Sequence, residues 1–342
     1  MSFGLHTLMR GGGVAALAPE LFPGAAFYVD TSRSVITKAN ANSGTGASLT
    51  KAGATITLSG ATGLVTSHAG GTITLAGYGA GNNGKFTLLT ATTGGGTFTN
   101  AGGASEAGSG SKTWAMDGQC VGLTDLVSGA TLTQPGAITA QMAVCTSDNP
   151  TGKPVLGQAT TGNRWVSVDD TAIAGKLNGT GPFTWFTYFT PITLTGSGWT
   201  VAQYRDTAIG VSPGSMAQFQ VVLSANNGRS FYLSTNLANG TTWNMGGTIS
   251  WTLGQWYSLA ARYDGATTAD WYVDGAFFAS GSASPARTLT ALRTVTVGMF
   301  AGSNANPSSI GGGKIAGYGV WKSDLGAARI AALHAYYRGW QP

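Results

Sequence analysis

The chain has 342 residues, enough for one large β-sandwich plus a smaller domain, each with its own core. Its 54 glycines follow no three-residue period and come with only 11 prolines, which excludes collagen, while 10 Trp, 11 Tyr and 13 Phe argue against wholesale disorder. Charged residues are only 9%, and the net charge of +5 comes from basic residues scattered from Arg10 to Arg338, so no nucleic-acid-binding patch is expected.

Residues 1–22 read as an N-terminal arm, Gly-rich at Gly11, Gly12 and Gly13 and ending before Pro23. Its short apolar run is interrupted by Pro19 and Glu20 and lacks the h-region and cleavage site of a signal peptide. No apolar stretch approaches the ~18 residues of a membrane span, so no membrane insertion is expected. Residues 24–30, with Phe27, Tyr28 and Val29, read as an opening strand. Residues 34–116 then change character, becoming poor in charge and rich in Thr and Gly. They carry a small echo: Thr55-Ile56-Thr57-Leu58-Ser59-Gly60 recurs as Thr72-Ile73-Thr74-Leu75-Ala76-Gly77, and Asn82-Asn83-Gly84 turns into a strand from Phe86. Two copies are too few for a solenoid, and the segment reads as a small inserted β-domain. Cys120 and Cys145 fit no zinc or redox spacing; a disulfide and a pair of buried thiols are both open.

Aromatic and β-branched runs dominate after residue 160. Phe183, Trp185, Phe186, Tyr188 and Phe189 mark a strand buried on at least one face. Residues 218–224 and 230–233 flank Asn226-Asn227-Gly228 and predict a hairpin, since Asn and Gly accept the positive φ of a tight turn. Residues 256–263, 270–273 and 276–278, separated by Asp264-Gly265 and Asp274-Gly275, predict a three-stranded meander. Two more strands are expected at 294–297 and 314–321. Ser323 is expected to cap a short helix whose Ile330, Leu333 and Tyr337 share one face.

The succession Tyr263-Asp264-Gly265, Tyr272-Val273-Asp274-Gly275, Val297-Gly298, Ile315 to Trp321 and Leu325, Ile330, Leu333 resembles the C-terminal half of lamin-G-like jelly rolls of the concanavalin A-like lectin/glucanase superfamily. Leu123-Thr124-Asp125-Leu126-Val127-Ser128-Gly129 resembles a segment that follows the opening strand there. The inserted stretch resembles small β modules of tailed-phage structural proteins. The resemblance implies an all-β fold: an antiparallel jelly-roll β-sandwich with a small inserted β-domain and a short C-terminal helix. Its domains would be the arm (1–22), the jelly roll (23–33 plus 117–342) and the insert (34–116). It leaves function open, because one fold hosts lectins, hydrolases and structural modules.

Glucanases of that superfamily use Glu-x-Asp-x-x-Glu on a strand. This chain has only Glu20, in the arm, and Glu106, in the insert. Asp169 and Asp170 are adjacent, so on a strand they point to opposite faces and cannot flank one bond. His6, His68 and His334 accompany no nucleophile motif, and no enzyme is expected. Calcium, which the resemblance brings to mind, would need loop carboxylates; Asp125, Asp264 and Asp274 are expected to hold turns instead, so no cofactor is expected, with a structural calcium as the alternative. A sugar platform needs exposed aromatics, and the candidates near loops are Trp199, Tyr204, Trp243 and Trp251.

The expectation is a phage virion surface protein, as capsid decoration, head fibre or tail-fibre component, made in the host cytoplasm. Its partners would be the major capsid or tail protein, copies of itself and host-surface glycans. The alternative is a bacterial lectin-like adhesin or carbohydrate-binding module outside any virion.

Overall fold

The computed structural model describes residues 17–79, 81–133, 142–147, 152–158, 165–194, 199–205, 219–223, 231–234, 249, 251–282, 294–298 and 311–339. Every described strand pairing is antiparallel, as the fold class expected from the sequence requires, and the strands form sheets of eleven, seven and five members.

The eleven-stranded sheet is organised around Gly311–Trp321. One edge of this strand takes Phe183–Leu194, followed outward by Tyr257–Tyr263, Thr268–Val273 and Ala276–Ser282. Its other edge is shared end to end by two short strands: Val155–Gln158 pairs with positions 313–315 and Ala25–Asp30 with positions 317–321. Beyond them lie Ala143–Cys145 and Gln119–Thr124. The smaller sheet of the sandwich runs in the order Trp165–Asp169, Thr294–Gly298, Trp199–Arg205, Phe219–Leu223, Phe231–Ser234. The expected hairpin of residues 218–233 and the meander of residues 256–278 are both present as pairings.

Alternation along the strands sends apolar residues to both faces of the large sheet. Phe27, Trp185, Phe189, Trp271 and Tyr318 join Val295 of the smaller sheet in the sandwich core. Tyr28, Phe186, Tyr188, Tyr272 and Trp321 build a second cluster on the opposite face, closed by Ile330, Leu333 and Tyr337 of the helix Gly326–Arg338. Tyr337 lies so close to the sheet that a Cβ on Gly317 would sit 1.9 Å from its hydroxyl oxygen, which explains a glycine in mid-strand. Ser323 is not the cap expected of it: its hydroxyl donates to the Pro23 carbonyl, and Asp324 Oδ1 accepts the Gly326 N–H at 2.8 Å instead.

The expected arm of residues 1–22 is too long a unit. Pro19–Leu21 forms a 3-10 turn, the Trp321 indole N–H donates to the Pro19 carbonyl at 2.9 Å, and Leu17 and Phe22 pack on the helix-side cluster. An aromatic residue and a carbonyl-presenting turn thus recruit this segment into the fold.

The seven-stranded sheet begins at Ser43–Thr45 and ends at Thr113–Met116. Ile56, Leu58, Ile73, Leu75, Leu88, Phe98 and Trp114 fill its core, while Thr50, Thr57, Thr97 and Thr90 stand in one cross-strand row on the other face. The boundary at residue 34 moves: Ile36–Ala39 pairs with Gln119–Thr124 in the large sheet, so the excursion starts after Ala39. Polar contacts bind the insert to the sandwich. Thr72 donates to Cys145 Sγ at 3.1 Å, and Lys314 Nζ donates to Thr87 Oγ1 at 3.1 Å. Cys120 and Cys145 are both buried and form no disulfide; burial pushes the Cys120 thiol up to about 12.

Candidate functional site

The carboxylates whose side chains are described are engaged in turns, a helix cap, ion pairs or hydroxyl hydrogen bonds such as Thr146 to Asp117 and Tyr336 to Asp30. Asp125 is fully buried; its Oδ1 accepts the N–H groups of Tyr28 (2.9 Å) and Val127 (3.1 Å), and its Oδ2 accepts Ser128 N–H (3.0 Å). It therefore locks the turn after Gln119–Thr124 to the opening strand. Asp264 Oδ1 accepts Ala266 and Thr268 N–H, and Asp274, at φ +51°, accepts Ser258 N–H at 2.9 Å. Asp170 caps the short helix Thr171–Ala174 through Ala172 N–H, while Asp169 ends the preceding strand. Glu20 pairs with Arg33. Glu106 accepts Gly79 N–H and the Asn82 amide and pairs with Lys112 at 2.9 Å; the Gly79 N–H chiefly holds its carboxyl down at about 2. Among the described residues no group of three or more His, Cys, Asp or Glu could hold a metal ion.

One serine–histidine contact invites a catalytic reading. Ser258 Oγ lies 2.9 Å from His334 Nδ1, and Asp274 Oδ1 lies 3.9 Å from the same nitrogen. A relay needs the acid and the nucleophile on opposite ring nitrogens, so this geometry cannot run one. Ser258 is buried, and desolvation holds His334 below the usual histidine range. The contact pins the helix to the sheet.

Of the aromatics expected to form a sugar platform, Trp251 lies in the core. Trp251 is a correction: it is 1% exposed, lying edge-on to Tyr257 at 4.8 Å and Phe189 at 5.5 Å. The chain there is folded back on the sheet by Gly254 N–H donating to the Pro191 carbonyl at 2.7 Å, which carries the indole into the core. Positions 199 and 204 lie near the two ends of the strand Trp199–Arg205; 199 is in register with Leu223, and 204 with Phe219 and the buried Val295. Trp243 lies outside the described residues.

An exposed aromatic pair exists elsewhere. Ala276–Ser282 is the last strand of the large sheet's order, and it carries Phe277 at 60% and Phe278 at 38% exposure. The pairing runs Tyr272↔Phe277 and then Trp271↔Ala279, so Phe278 is the extra residue of a bulge. Bulges bend the strand and re-aim its side chains, here at a sheet margin. The Phe277 ring meets Tyr272 edge-on at 6.0 Å, and the Arg262 guanidinium lies 5.9 Å from the Tyr272 ring centre. Arg262, Asp270 and Ser280 form a cross-strand row beside it. Arg262 donates twice to Asp270 Oδ2 (3.0 and 2.8 Å) and from Nη1 to both Asp324 oxygens at 3.3 Å, and Ser280 donates to Asp270 Oδ1. The Asp270 bond is the main cause raising the Arg262 pKa.

The hairpin thus presents apolar ring faces next to fixed donors and acceptors, the combination that holds a sugar by stacking and hydroxyl hydrogen bonds. Sequence reasoning read residues 276–278 only as a strand. The overlooked signal was two consecutive Phe beside a turn: period-2 alternation leaves one of them off the core face unless both faces are covered.

No protein-family model and no curated protein matches the chain. Solved structures with a similar outline include a botulinum neurotoxin type C structure, whose cell entry is described as dependent on two ganglioside molecules. It has TM-score 0.47 and 12% identity over 62% of this chain and 48% of that one. The binding domain of Paraclostridial mosquitocidal protein 1 gives 0.47 and 10% over 63% and 49%. A Trypanosoma rangeli sialidase complex gives 0.45 and 14% over 64% and 31%. The chain therefore spans half or less of each, and likenesses of this size assign neither residue roles nor a ligand.

Proposed function

We propose that this protein is a non-enzymatic surface-binding component of a tailed-phage particle, and that its Ala276–Ser282 hairpin engages host-surface glycans. The observation that carries the binding reading is the exposed Phe277–Phe278 pair set beside the ordered Arg262–Asp270–Asp324 group. Covering the exposed part of the Phe277 ring, 60% of its surface, is worth about 1–2 kcal/mol. Carboxylates engaged in turns and ion pairs favour binding over turnover. The particle setting is favoured by the low charge and the Thr/Gly-rich inserted sheet, whose hydroxyl-bearing face suits contact with a shell or a neighbouring copy.

A glycan array with the purified chain tests the binding reading. At least one glycan class should bind, and Phe277→Ala should weaken it about tenfold, the scale of losing one stacked ring. Unchanged binding in that variant would remove the hairpin from the reading. Purified virions should carry the chain in many copies; finding it solely as free protein or on a bacterial surface would favour the adhesin alternative.

A further inference from the structure

The chain leaves the large sheet after Ala39 and rejoins it at Gln119, and the insert lays one turn, Thr66–His68, against both crossings. Gln119 links them: its Oε1 accepts the Asn40 side-chain amide at 2.9 Å, and its own amide donates to Ser67 Oγ. His68 completes the junction. It is fully buried, with Nδ1 3.0 Å from the Val65 backbone nitrogen and Nε2 3.0 Å from the Asn40 carbonyl oxygen.

Those two partners fix where the ring proton sits. The Val65 N–H can only donate, so Nδ1 accepts; the Asn40 carbonyl can only accept, so Nε2 holds the hydrogen. His68 is therefore a neutral imidazole in one tautomer. A second proton could enter only at Nδ1, donor facing donor in a site closed to solvent. The closed turn and an imidazolium exclude one another.

The charged and ionisable groups on the neighbouring segments are engaged with other partners. Lys85 and Asp117 both meet the Thr146 hydroxyl, Lys314 donates to Thr87, and Lys38 is exposed. Cys145 Sγ accepts from Thr72, and the Cys120 thiol donates to the Gly122 carbonyl. Asn40 is itself exposed and Val65 half-buried, so a thin layer of chain separates the ring from water.

We propose that His68 is an acid-released latch between the insert and the sandwich. Once open to water, the imidazole regains its ordinary pKa of about 6.5. A histidine that the closed state holds neutral contributes its full stability above that value and loses it as pH falls below. The open population of the junction therefore rises about tenfold per pH unit in acid, reaching about thirtyfold by pH 5. The two apolar cores form separate clusters, so the junction opens while both stay packed.

Hydrogen exchange on the full chain between pH 8 and pH 5 tests this, read as protection factors so that the intrinsic pH dependence of exchange is removed. The amides of Val65, His68 and Ala69, all hydrogen-bonded in the closed turn, should lose about thirtyfold protection, while those of Tyr257–Tyr263 and Phe98 hold theirs. Ring nitrogen NMR shifts should report the Nε2–H tautomer of His68 at pH 8. His68→Asn keeps an oxygen near the Nδ1 position for the Val65 N–H but cannot titrate, so its protection should not vary across this range. A loss that persists in the variant, or one spread evenly over both sheets, would overturn the latch. So would an Nδ1–H tautomer, or an imidazolium in a turn that stays protected; both are read on the unsubstituted chain and decide the matter even if the variant fails to fold.

Discussion

The eleven-stranded and seven-stranded sheets are both antiparallel, but they divide their residues differently. The large sheet is apolar on both faces, with Trp185 and Trp271 on the sandwich side and Tyr28, Tyr188 and Trp321 beneath the helix. The inserted sheet is apolar on one face and carries a row of threonines on the other. A sheet buried twice needs two covers, and where a cover ends its aromatics come to the surface. Gly275 lies against His334 on the helix, at the start of the strand that exposes Phe277 and Phe278. In the insert the large apolar side chain that reaches the surface is Leu89, 37% exposed, and among its described residues no aromatic does. Exposed aromatics therefore collect at the margin of the doubly covered sheet.

The strongest challenge to this contrast is a pair of core truncations. Trp321→Ala and Phe98→Ala should each cost about 3–5 kcal/mol, one beneath the helix and one inside the insert. In limited proteolysis, Trp321→Ala should open residues 17–30 and the terminal helix, whereas Phe98→Ala should open cleavage within 43–116 alone. Identical fragment patterns would mean that the two sheets unfold as one unit.

A smaller effect separates them by pH. The folded insert holds Glu106 at about 2, below its ordinary range near 4.5. A depressed carboxyl contributes stability above its unfolded pKa and loses it as pH falls through the folded one. Acid should therefore loosen the insert between about pH 4.5 and 2, and Glu106→Gln should flatten that dependence. Fluorescence melts across this window measure it; an unchanged slope in the variant would assign the acid response elsewhere.

The smallest expected effect sharpens the contrast most. Phe277→Ala, at a ring that is mostly exposed, should change unfolding stability by only about 0.5 kcal/mol. A loss of several kcal/mol in denaturant titration would make the ring part of the core.

Much of the fold could be read where local chemistry decides it. Asp264-Gly265 and Asp274-Gly275 demanded positive φ and produced the meander, and the spacing of Ile330, Leu333 and Tyr337 marked the helix face that is buried. Legibility failed where distant segments decide. Trp251 looked like a loop aromatic until a hydrogen bond to Pro191 folded it inward. Pro19 looked like part of an arm, though its carbonyl is the acceptor for an indole 302 positions away. Phe277 and Phe278 were hidden by a bulge, which breaks the alternation that strand reading relies on.

The pairing of Ala25–Asp30 with residues 317–321 has a consequence for how the chain comes into being. The opening strand leaves the ribosome nearly 290 residues before this neighbour does, Asp30 pairing with Gly317, and until then its sheet edge lacks this partner. The insert, whose strands all lie between residues 43 and 116, can close during synthesis. Maturation should thus be paced by a single late event, the arrival of the Gly311–Trp321 strand, in keeping with the slow closure of contacts between remote parts of a chain.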